Sequence, residues 1–495
     1  MRPLIRHPSG DTFSPSLSSG QMAGRPEGAS ARGAGWGRRI ALSLVAALMV
    51  SGSSAAETLT LTGVMTGADH QTYREVPFKV PAGTTSVTVD FAYTGRDQKS
   101  VIDLGMRDPQ RFRGWSGGNK SKFTLTETWA TPSYLPGPLP AGEWKLILGV
   151  PNLRKDGRAE YTAKITLDRA PAFHGFAAAP LKSGPGWYRG DLHMHTEHSD
   201  GSCASHTGKR TPCPLFKTLE AASARGLDFV AVTDHNTPAH FQDLAELQGY
   251  YDDLLLIPGR EITTFHGHAN VFGVTAPLDF QLGSARAPDL NRIIDQVEAA
   301  HGLISLNHPG QPSGEACMGC GWTARTDFSR IPAMEAVNGV NAEGPLSGIP
   351  FWEARLNAGL RVTAIGGSDN HDASLSGLRG VGTPTTVVWA ENLSQDAILD
   401  GIRKGRVFVD VQGTRDRLLE VKAQGGRLSV HVAKAAGAKL AFAGPGAAGL
   451  ADDAALGEDE TRTFDLADRK GWLRVDVRGP DGKLWLLGNP VYLAP

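Results

Sequence analysis

The most informative segment of this 495-residue chain is Tyr188-Arg189-Gly190-Asp191-Leu192-His193-Met194-His195. Its first part has the pattern of a strand, for which we predict the bounds Tyr188–His193. Two histidines spaced two apart on a strand point to the same side, so His193 and His195 can reach one metal ion. On its own such a pair is a weak signal, because strand histidines can also be half-buried structural residues.

Strand and helix patterns alternate from this segment to about residue 410. Such alternation is typical of an α/β fold with a parallel sheet or barrel. The predicted helices are Leu215–Arg225, Leu290–Ala300, Phe351–Ala358 and Gln395–Arg403. The further predicted strands are Asp228–Val232, Leu254–Pro258, Ala269–Val274, Leu303–Leu306, Ala333–Val337, Arg361–Ile365 and Thr385–Trp389.

Histidines and carboxylates cluster where these strands end. Of the 15 histidines, eleven lie between His193 and His371. In a (β/α) barrel the carboxyl ends of the strands converge on one face, where active sites form. The clusters are Ser199-Asp200-Gly201, Thr233-Asp234-His235-Asn236, Gly259-Arg260-Glu261, His266-Gly267-His268, Asn307-His308-Pro309 and Ser368-Asp369-Asn370-His371.

Imidazoles combined with carboxylates suit zinc, manganese or iron better than calcium or magnesium. The candidates outnumber the ligands of one ion, so we expect two or three divalent ions that share a carboxylate, for which Glu261 is the best choice. Such a site activates water to hydrolyse an ester-like bond. The predicted metal ligands are His193, His195, Asp200, His235, Glu261, His268, His308, Asp369 and His371.

Other polar residues near these clusters have alternative interpretations. His266 remains open as a ligand in place of His268, because the two would lie on one strand face. Asp234 is the candidate for orienting a neighbour rather than binding metal. Four histidines are interpreted as ordinary surface residues, although His198 is close enough in sequence to touch substrate: His198, His206, His240 and His301.

The flanking regions have different patterns. Residues 1–56 combine a Gly/Ser/Pro/Arg-rich leader with an arginine pair, an apolar run and small residues, which predicts a signal peptide cleaved before Glu57. Residues 57–170 show short alternating strands, typical of a β-sandwich, and 171–186 form an Ala/Pro/Gly-rich linker. Residues 411–495 predict a second, small β unit. We therefore expect a periplasmic or secreted protein without stable membrane insertion.

The four cysteines favour disulfides in an exported chain, paired locally as Cys203–Cys213 and Cys317–Cys320. The rival is a structural zinc held by all four thiolates, which the Cys-x-x-Cys spacing suggests. The formal net charge is -1 and there is no long basic run, so nucleic acid is not an expected partner.

The ordered motifs from His193 to His371 resemble those of the PHP (polymerase and histidinol phosphatase) superfamily, and most closely its CehA/McbA-type metallohydrolases. The resemblance covers 187–410 and implies a distorted seven-stranded (β/α) barrel with two or three ions. It implies one ion held by His193, His195, Glu261 and Asp369, a second by Glu261, His268 and His308, and a third by Asp200, His235 and His371. The position of Asp200 is a histidine in many relatives.

Three functions are open at this point. The first is hydrolysis of a phosphomonoester or phosphodiester, a small-molecule substrate, by metal-activated water; Arg260 is the candidate cation beside Glu261, with Lys209, Arg210 and Arg379 as further contributors. The second is hydrolysis of a carbamate or carboxylic ester, as the closer subfamily suggests. The third is a surface or polysaccharide-binding protein that uses its β units.

Overall fold

A computed structural model describes residues 56–170, 175–315, 317–466 and 468–493. The predicted leader and signal peptide lie outside these residues, apart from Ala56, and so does the first part of the predicted linker. Among the helices in these ranges, none is long and apolar enough to cross a membrane.

Two four-stranded antiparallel sheets form the first part of the chain, in the orders β1-β8-β3-β6 and β2-β7-β4-β5. Both contribute to one core that contains Val87, Leu167, Leu104 and Leu146. Strand β8 shows why these residues form a sheet, since its side chains alternate between exposed and buried. The strands are β1 (Glu57–Thr66), β2 (Tyr73–Val80), β3 (Ser86–Tyr93), β4 (Val101–Arg107), β5 (Phe112–Gly117), β6 (Lys122–Thr126), β7 (Gly142–Asn152) and β8 (Arg158–Asp168).

The central part is a strand-rich mixture of strands and helices. Its helices are α1 (Leu215–Ala224), α2 (Phe241–Leu247), α3 (Leu290–Ala299), α4 (Ile349–Asn357) and α5 (Gln395–Arg403). Its strands are β9 (Gly186–Asp191), β10 (Ser202–Ala204), β11 (Arg210–Pro212), β12 (Phe229–Val232), β13 (Leu255–Thr264), β14 (Gly267–Phe272), β15 (Leu303–Leu306), β16 (Ala333–Asn338), β17 (Thr363–Gly367), β18 (Thr385–Ala390) and β19 (Val407–Asp410).

The four helices predicted from the sequence are present as α1, α3, α4 and α5. Two of them begin at capping side chains: Asp289 accepts a hydrogen bond from the backbone N–H of Asn291, and Ser394 accepts one from that of Ala397. Helix α2 was not predicted, because Phe241–Leu247 is short and has only three apolar positions besides one alanine.

The distorted seven-stranded (β/α) barrel implied by the resemblance is not shown as such, because the strands of the central sheet are not all parallel. Strands β9, β12 and β13 are parallel, and so are β15, β16 and β17. Strand β14 is antiparallel to both β13 and β15, because a short turn at Phe265 and His266 folds it directly back on β13. Strand β18 is antiparallel to β9.

The last part of the chain does not form a sheet system of its own. Strands β20, β21 and β23 make a three-stranded sheet, but β25, β24 and β22 extend the central sheet beyond β19. The strands are β20 (Leu418–Gln424), β21 (Arg427–Ala433), β22 (Lys439–Ala443), β23 (Asp459–Asp465), β24 (Trp472–Arg478), β25 (Leu484–Leu487) and β26 (Val491–Tyr492).

One side chain from this last part lies between two central strands. Asn489 accepts a hydrogen bond from the backbone N–H of Ala364 at 2.7 Å and donates to the carbonyls of Ala364 and Val407 at 2.9 Å each. These two residues belong to β17 and β19. The side-chain amide of Asn489 therefore makes the hydrogen bonds that a backbone peptide group makes in a sheet, and it links the two strands.

Both predicted disulfides are present, Cys203–Cys213 and Cys317–Cys320. The first joins the short β10 and β11, and the second lies in the loop between β15 and β16. The rival prediction, one zinc held by four thiolates, is therefore wrong for this structure. Disulfides are typical of proteins in an oxidising compartment.

Candidate metal centre

The two central histidines follow β9 and run beside the segment that follows β17. The backbone N–H of His195 donates to the carbonyl of Asn370 at 2.9 Å, and that of Asp369 donates to the carbonyl of His193 at 2.8 Å. This short ladder brings the first and last predicted clusters together, although about 170 residues separate them in the chain.

Buried Asp191 holds the same two segments together through hydrogen bonds to their backbone. Its carboxylate accepts hydrogen bonds from the backbone N–H groups of Ser368 at 3.0 Å and Gly382 at 2.7 Å. It also accepts one from the N–H of His193 at 3.2 Å. Burial raises the pKa of Asp191, although these hydrogen bonds act in the opposite direction. The carboxylate thus ties the ends of β9 and β17 and the start of β18 to one another.

Glu261, which is fully buried in β13, lies at the centre of the cluster. The side-chain amide of Asn307 donates to its Oε1 at 2.8 Å. Five imidazoles surround the carboxylate, and this makes Glu261 the residue best placed to touch more than one ion. The distances from its oxygens to the nearest ring nitrogens are 2.7 Å for His235, 3.3 Å for His268, 3.4 Å for His308, 3.6 Å for His193 and 3.7 Å for His195.

Asp369 and Asp200 extend the cluster toward solvent. Asp369 Oδ1 lies 3.1 Å from His195 Nε2 and 3.3 Å from His193 Nε2. Asp200 Oδ1 lies 3.3 Å from His371 Nε2 and 3.5 Å from His235 Nε2. The Asp200 side chain is 58% exposed, whereas that of Glu261 is 1% exposed. The cluster is therefore open on the Asp200 side.

Three overlapping groups in this cluster have ligand atoms close enough together to hold a divalent metal ion. Every predicted metal ligand except His268 belongs to one of these three, and His268 forms a separate group with His308 and two cysteines. The groups are His193, His195 and Glu261; His193, His308 and Asp369; and His195, Asp200, His235 and His371.

The hydrogen bonds of the imidazoles also suit metal binding. His371 Nδ1 donates to the carbonyl of Asp369 at 2.8 Å, so Nε2, which faces Asp200, is the nitrogen that could bind a metal ion. His268 Nε2 donates to the carbonyl of Met318 at 3.1 Å, which leaves Nδ1 facing Glu261. Within the described ranges, the buried His193 Nε2 has no hydrogen-bond partner, and it faces the carboxylates of Glu261 and Asp369. Such one-sided arrangements are typical of histidines that ligate metal through the other nitrogen.

Without metal, the charges of this cluster balance internally. Burial by itself would raise the pKa of Glu261 and of Asp369, but the neighbouring histidines, His193 first, outweigh burial and hold both well below the usual value. Burial lowers the pKa of His235, while its contacts with Asp200 and Glu261 raise it further, to about 10. The carboxylates are thus ionised and ready to bind cations.

Sequence reasoning missed Glu335, which lies in β16 and is 2% exposed. Its Oε1 accepts a hydrogen bond of 2.9 Å from His193 Nδ1, and its Oε2 accepts one of 2.8 Å from the backbone N–H of His308. The side-chain amide of Asn338 donates to both Glu335 and Asp369, at 3.1 Å each. The only sequence signal was a single acidic residue inside the apolar segment Ala333–Asn338.

Three residues of the site have a left-handed backbone without being glycine. The φ angles are +55° for Asn236, +28° for His308 and +49° for Asp369. Each follows the end of a strand and turns the chain sharply there. Strained backbone of this kind is found where a structure fixes the position of functional side chains.

The other histidines near the site lie as follows. His266 is exposed in the turn before β14 and contacts Thr323, so the structure places His268, not His266, against Glu261. The interpretation of His240 as a surface residue is wrong: it is fully buried, and its Nε2 lies 2.8 Å from the carbonyl of Gly259. His206 and His301 are exposed, and His198 is half-buried with its Nε2 3.5 Å from Asp243.

Asp234 and Arg260 do not face the cluster. Asp234 accepts hydrogen bonds from Thr196 and Ser199, at 2.5 to 2.7 Å, and so orients the loop after His195. Arg260 is buried and donates to the carbonyls of Val274 and Ala276. The proposed contact of Arg260 with substrate is therefore wrong, because neighbouring strand residues point to opposite faces and Glu261 takes the site face.

No model of a protein family matches the chain, and no curated protein matches it. Among solved structures it is similar to a two-domain protein from Bacteroides vulgatus ATCC 8482 that contains a predicted PHP-like metal-dependent phosphoesterase. The identity is 18%, the match covers 66% of this chain and 100% of that one, and the TM-score is 0.36. That description names the superfamily whose motifs the sequence resembles.

A second solved structure that matches is PliG from Salmonella Typhimurium, a periplasmic inhibitor of g-type lysozyme. The identity is 15%, the match covers 22% of this chain and 87% of that one, and the TM-score is 0.13. Neither TM-score is high enough to establish a shared fold.

Proposed function

We propose that this chain is a metal-dependent hydrolase of the PHP type that cleaves a phosphomonoester or phosphodiester. The observation that carries the proposal is the position of Glu261, a buried carboxylate with five imidazoles around it and a second carboxylate, Asp369, on the same histidines. A carboxylate in a purely structural ion pair needs only one partner of opposite charge. Five partners in a site open to solvent fit a centre for two or three divalent ions.

Bound zinc, manganese or iron would supply Lewis acidity and lower the pKa of a bound water to about 7. The residues that would hold the buried ions are Glu261, Asp369, His193, His195, His268 and His308. Asp200, His235 and His371, together with His195, would hold the ion nearest to solvent. The two exposed members, Asp200 and His371, also mark the side from which a substrate reaches the centre.

The remaining residues keep the ligands in place. Glu335 holds the His193 ring through Nδ1, Asn307 holds the Glu261 carboxylate, and Asn338 joins Glu335 to Asp369. Such contacts fix the orientation of a ligand before the metal binds, which strengthens the site and its catalysis.

Hydrolysis of a carbamate or carboxylic ester is a second candidate, and the surroundings of the site favour it. Within the described ranges, every ion contact of Glu261, Asp369 and Asp200 is with histidine, so none of these three carboxylates pairs with an arginine or lysine. Arg210, one of the predicted phosphate-binding cations, pairs instead with Asp372, next to His371, at 2.6 Å. Phe265, 90% exposed, and Met318, 76% exposed, flank the segment that carries His268. Apolar side chains at a site suit an aryl or alkyl ester.

Export is part of the proposal. The two disulfides support an oxidising compartment, and the predicted signal peptide supplies the route to the periplasm or the exterior.

A substrate panel on the protein lacking residues 1–56, with its metal content measured, tests these assignments. Aryl phosphate monoesters and diesters are compared with a naphthyl carbamate and a naphthyl acetate, each with zinc, manganese or iron added. We expect turnover of a phosphoester. Turnover of the carbamate or acetate alone would make the second candidate correct, and a protein that binds none of the three metals would refute the metal-dependent function altogether.

A further inference from the structure

The Cys317–Cys320 disulfide lies beside two of the histidines of the metal centre. The sulfur atoms of both cysteines and one ring nitrogen each of His268 and His308 all lie within 4.8 Å of one another. Cys320 is buried, Cys317 is half-buried, and Met318 between them is exposed. Two sulfurs and two imidazoles are the donor set of a closed, four-ligand zinc site.

The distances suit such a site after a small movement. Zn–S bonds of about 2.3 Å and Zn–N bonds of about 2.0–2.1 Å place tetrahedral ligand atoms roughly 3.3–3.8 Å apart. Atoms that lie within 4.8 Å of one another therefore need to approach by no more than about 1.5 Å. The only change in bonding is that the sulfur–sulfur bond must open.

The loop that carries the cysteines is held in place by contacts other than the disulfide. Gly319 has φ +83° and lies so close to Thr264 that a Cβ would be 2.1 Å from its carbonyl oxygen. The backbone N–H groups of Thr323 and Ala324 both donate to the carbonyl of His266 at 2.8 Å. The Met318 carbonyl accepts from His268. Reduction of the disulfide would therefore leave both thiols next to the histidines.

We propose that Cys317 and Cys320 form a redox-controlled metal site, in which reduction of their disulfide lets both sulfurs bind one zinc ion together with His268 and His308. Those two histidines face Glu261 in the oxidised protein, at 3.3 and 3.4 Å. A zinc ion held by all four side chains removes them from the ion that Glu261 shares. It also has no open position for water, which hydrolytic zinc requires. The resulting inhibition of turnover rests on the proposed function, whereas the zinc binding itself does not.

The chemistry balances with a dithiol as the reductant. One thiolate of the dithiol attacks the Cys317–Cys320 bond, a mixed disulfide forms, and the second thiol of the reductant releases it. Two electrons thereby pass to the protein, the dithiol becomes a disulfide, and its two protons pass to the cysteine sulfurs. Zinc binding then displaces these two protons to solvent. In an oxidising compartment the site stays closed as a disulfide unless such a dithiol reaches it.

The other disulfide provides a matched control. Cys203 and Cys213 join β10 and β11, and neither belongs to any of the metal-capable groups found among the described residues. The paired variants Cys317→Ser/Cys320→Ser and Cys203→Ser/Cys213→Ser thus remove one disulfide each, and only the first removes the proposed ligands.

Cobalt(II) titration of the whole mature protein tests the proposal, because thiolate bound to cobalt absorbs in the near ultraviolet and histidine or carboxylate ligands do not. We expect no such band in the oxidised protein. After reduction by a phosphine we expect a band whose final amplitude corresponds to one thiolate-bound cobalt per chain. The band should persist in the Cys203/Cys213 variant and be lost in the Cys317/Cys320 variant. The proposal would be overturned if the reduced native protein showed no band, or if the band persisted in the variant without Cys317 and Cys320.

Alkylation mapping of the native protein needs no variant. In the reduced protein, zinc should slow the alkylation of Cys317 and Cys320 at least about tenfold and leave Cys203 and Cys213 unprotected; equal rates with and without zinc would overturn the proposal. In the presence of zinc, the turnover rate of the reduced native protein is expected to be at least about tenfold lower than that of the oxidised native protein. The band and the protection do not depend on turnover, so their failure is distinct from failure of the proposed function.

Discussion

Glu335 and His193 form a buried hydrogen bond of 2.9 Å, and the second oxygen of Glu335 binds the backbone N–H of His308 at 2.8 Å. One carboxylate thus holds two metal-ligating histidines that come from different strands. Because both contacts lie away from the expected ions, Glu335 acts on the metals only through the orientation of these two residues.

Glu335→Gln should therefore weaken metal binding without removing a ligand. A glutamine keeps the shape of the side chain but loses the charge that favours the Nδ1-protonated form of His193. We expect the affinity for zinc to fall about 10- to 100-fold, as is usual for such partners of metal ligands. The measurement is a competition titration with a zinc chelator. Glu391→Gln is the control, since Glu391 is exposed and pairs with Arg406 far from the cluster; equal losses in both variants would contradict the assignment.

His195→Ala should abolish turnover and leave the fold largely intact. His195 belongs to two of the metal-capable groups and lies 3.1 Å from Asp369. We expect at least one metal ion per chain to be lost, measured by elemental analysis, together with a drop in activity of about a thousandfold or more, since the reaction depends on metal-activated water. His206→Ala, at an exposed histidine, should retain both. Unchanged turnover in His195→Ala would show that the active site is elsewhere.

Metal addition should raise the melting temperature of the metal-free protein. Ions that bind only the folded state stabilise it by about 2.7 kcal/mol at a free concentration one hundred times the dissociation constant. Thermal unfolding after chelation, and again after zinc is restored, measures the difference. The rise in melting temperature caused by zinc should be smaller in Asp369→Asn, because this variant lacks the charge that three histidines contact. A melting temperature that does not respond to zinc would contradict the proposed centre.

His240 should make the protein less stable as the pH falls. Burial lowers its pKa from 6.5 to about 4, partly opposed by Asp234 and aided by the charges of His198 and Arg260. Above pH 6.5 the ring is neutral both folded and unfolded, so it has no effect. Between pH 6.5 and 4 only the unfolded chain takes up the proton, which costs up to about 3 kcal/mol of unfolding free energy.

His240→Gln tests this, because glutamine can still donate to the carbonyl of Gly259 but does not titrate. Urea unfolding from pH 7 to pH 4 should show a smaller loss of stability in the variant than in the native protein. The exposed His206→Gln is the matched control and should follow the native curve. Parallel curves for His240→Gln and the native protein would contradict the neutral, buried state of this histidine.

The site was largely predictable because its residues follow strands. Most of the predicted clusters come after a run of apolar residues, and the ends of neighbouring strands meet at one edge of a sheet. The exceptions are Asp200, which lies in the loop after His195, and His268, which lies at the start of β14. Glu335 was missed because it lies within a strand, where the pairing of β16 with β17 shifts register between Glu335 and Val337. The sequence also contains the argument against Arg260 as a substrate contact. Neighbouring strand residues point to opposite faces, and Glu261 is the residue predicted to face the site.

The rest of the fold depends on contacts that leave no local pattern. Residues 411–495 show strand signals, but nothing in them indicates that β25 pairs with β19 and not with a neighbour in its own unit. His240 stands in a polar segment before the short α2, so its burial depends on the carbonyls of Val232 and Gly259, which the sequence does not reveal.

Asn489 shows why a fragment of this chain that ends at residue 410 would be incomplete. Its side chain completes the backbone pairing of Ala364, three residues before Gly367, where β17 ends next to Ser368 and Asp369. Truncation would leave those backbone groups unpaired and expose the edge of β19 to other chains. For protein engineers, the C-terminal residues are therefore part of the sheet that carries the candidate metal centre, and shortened versions should keep the chain through Tyr492.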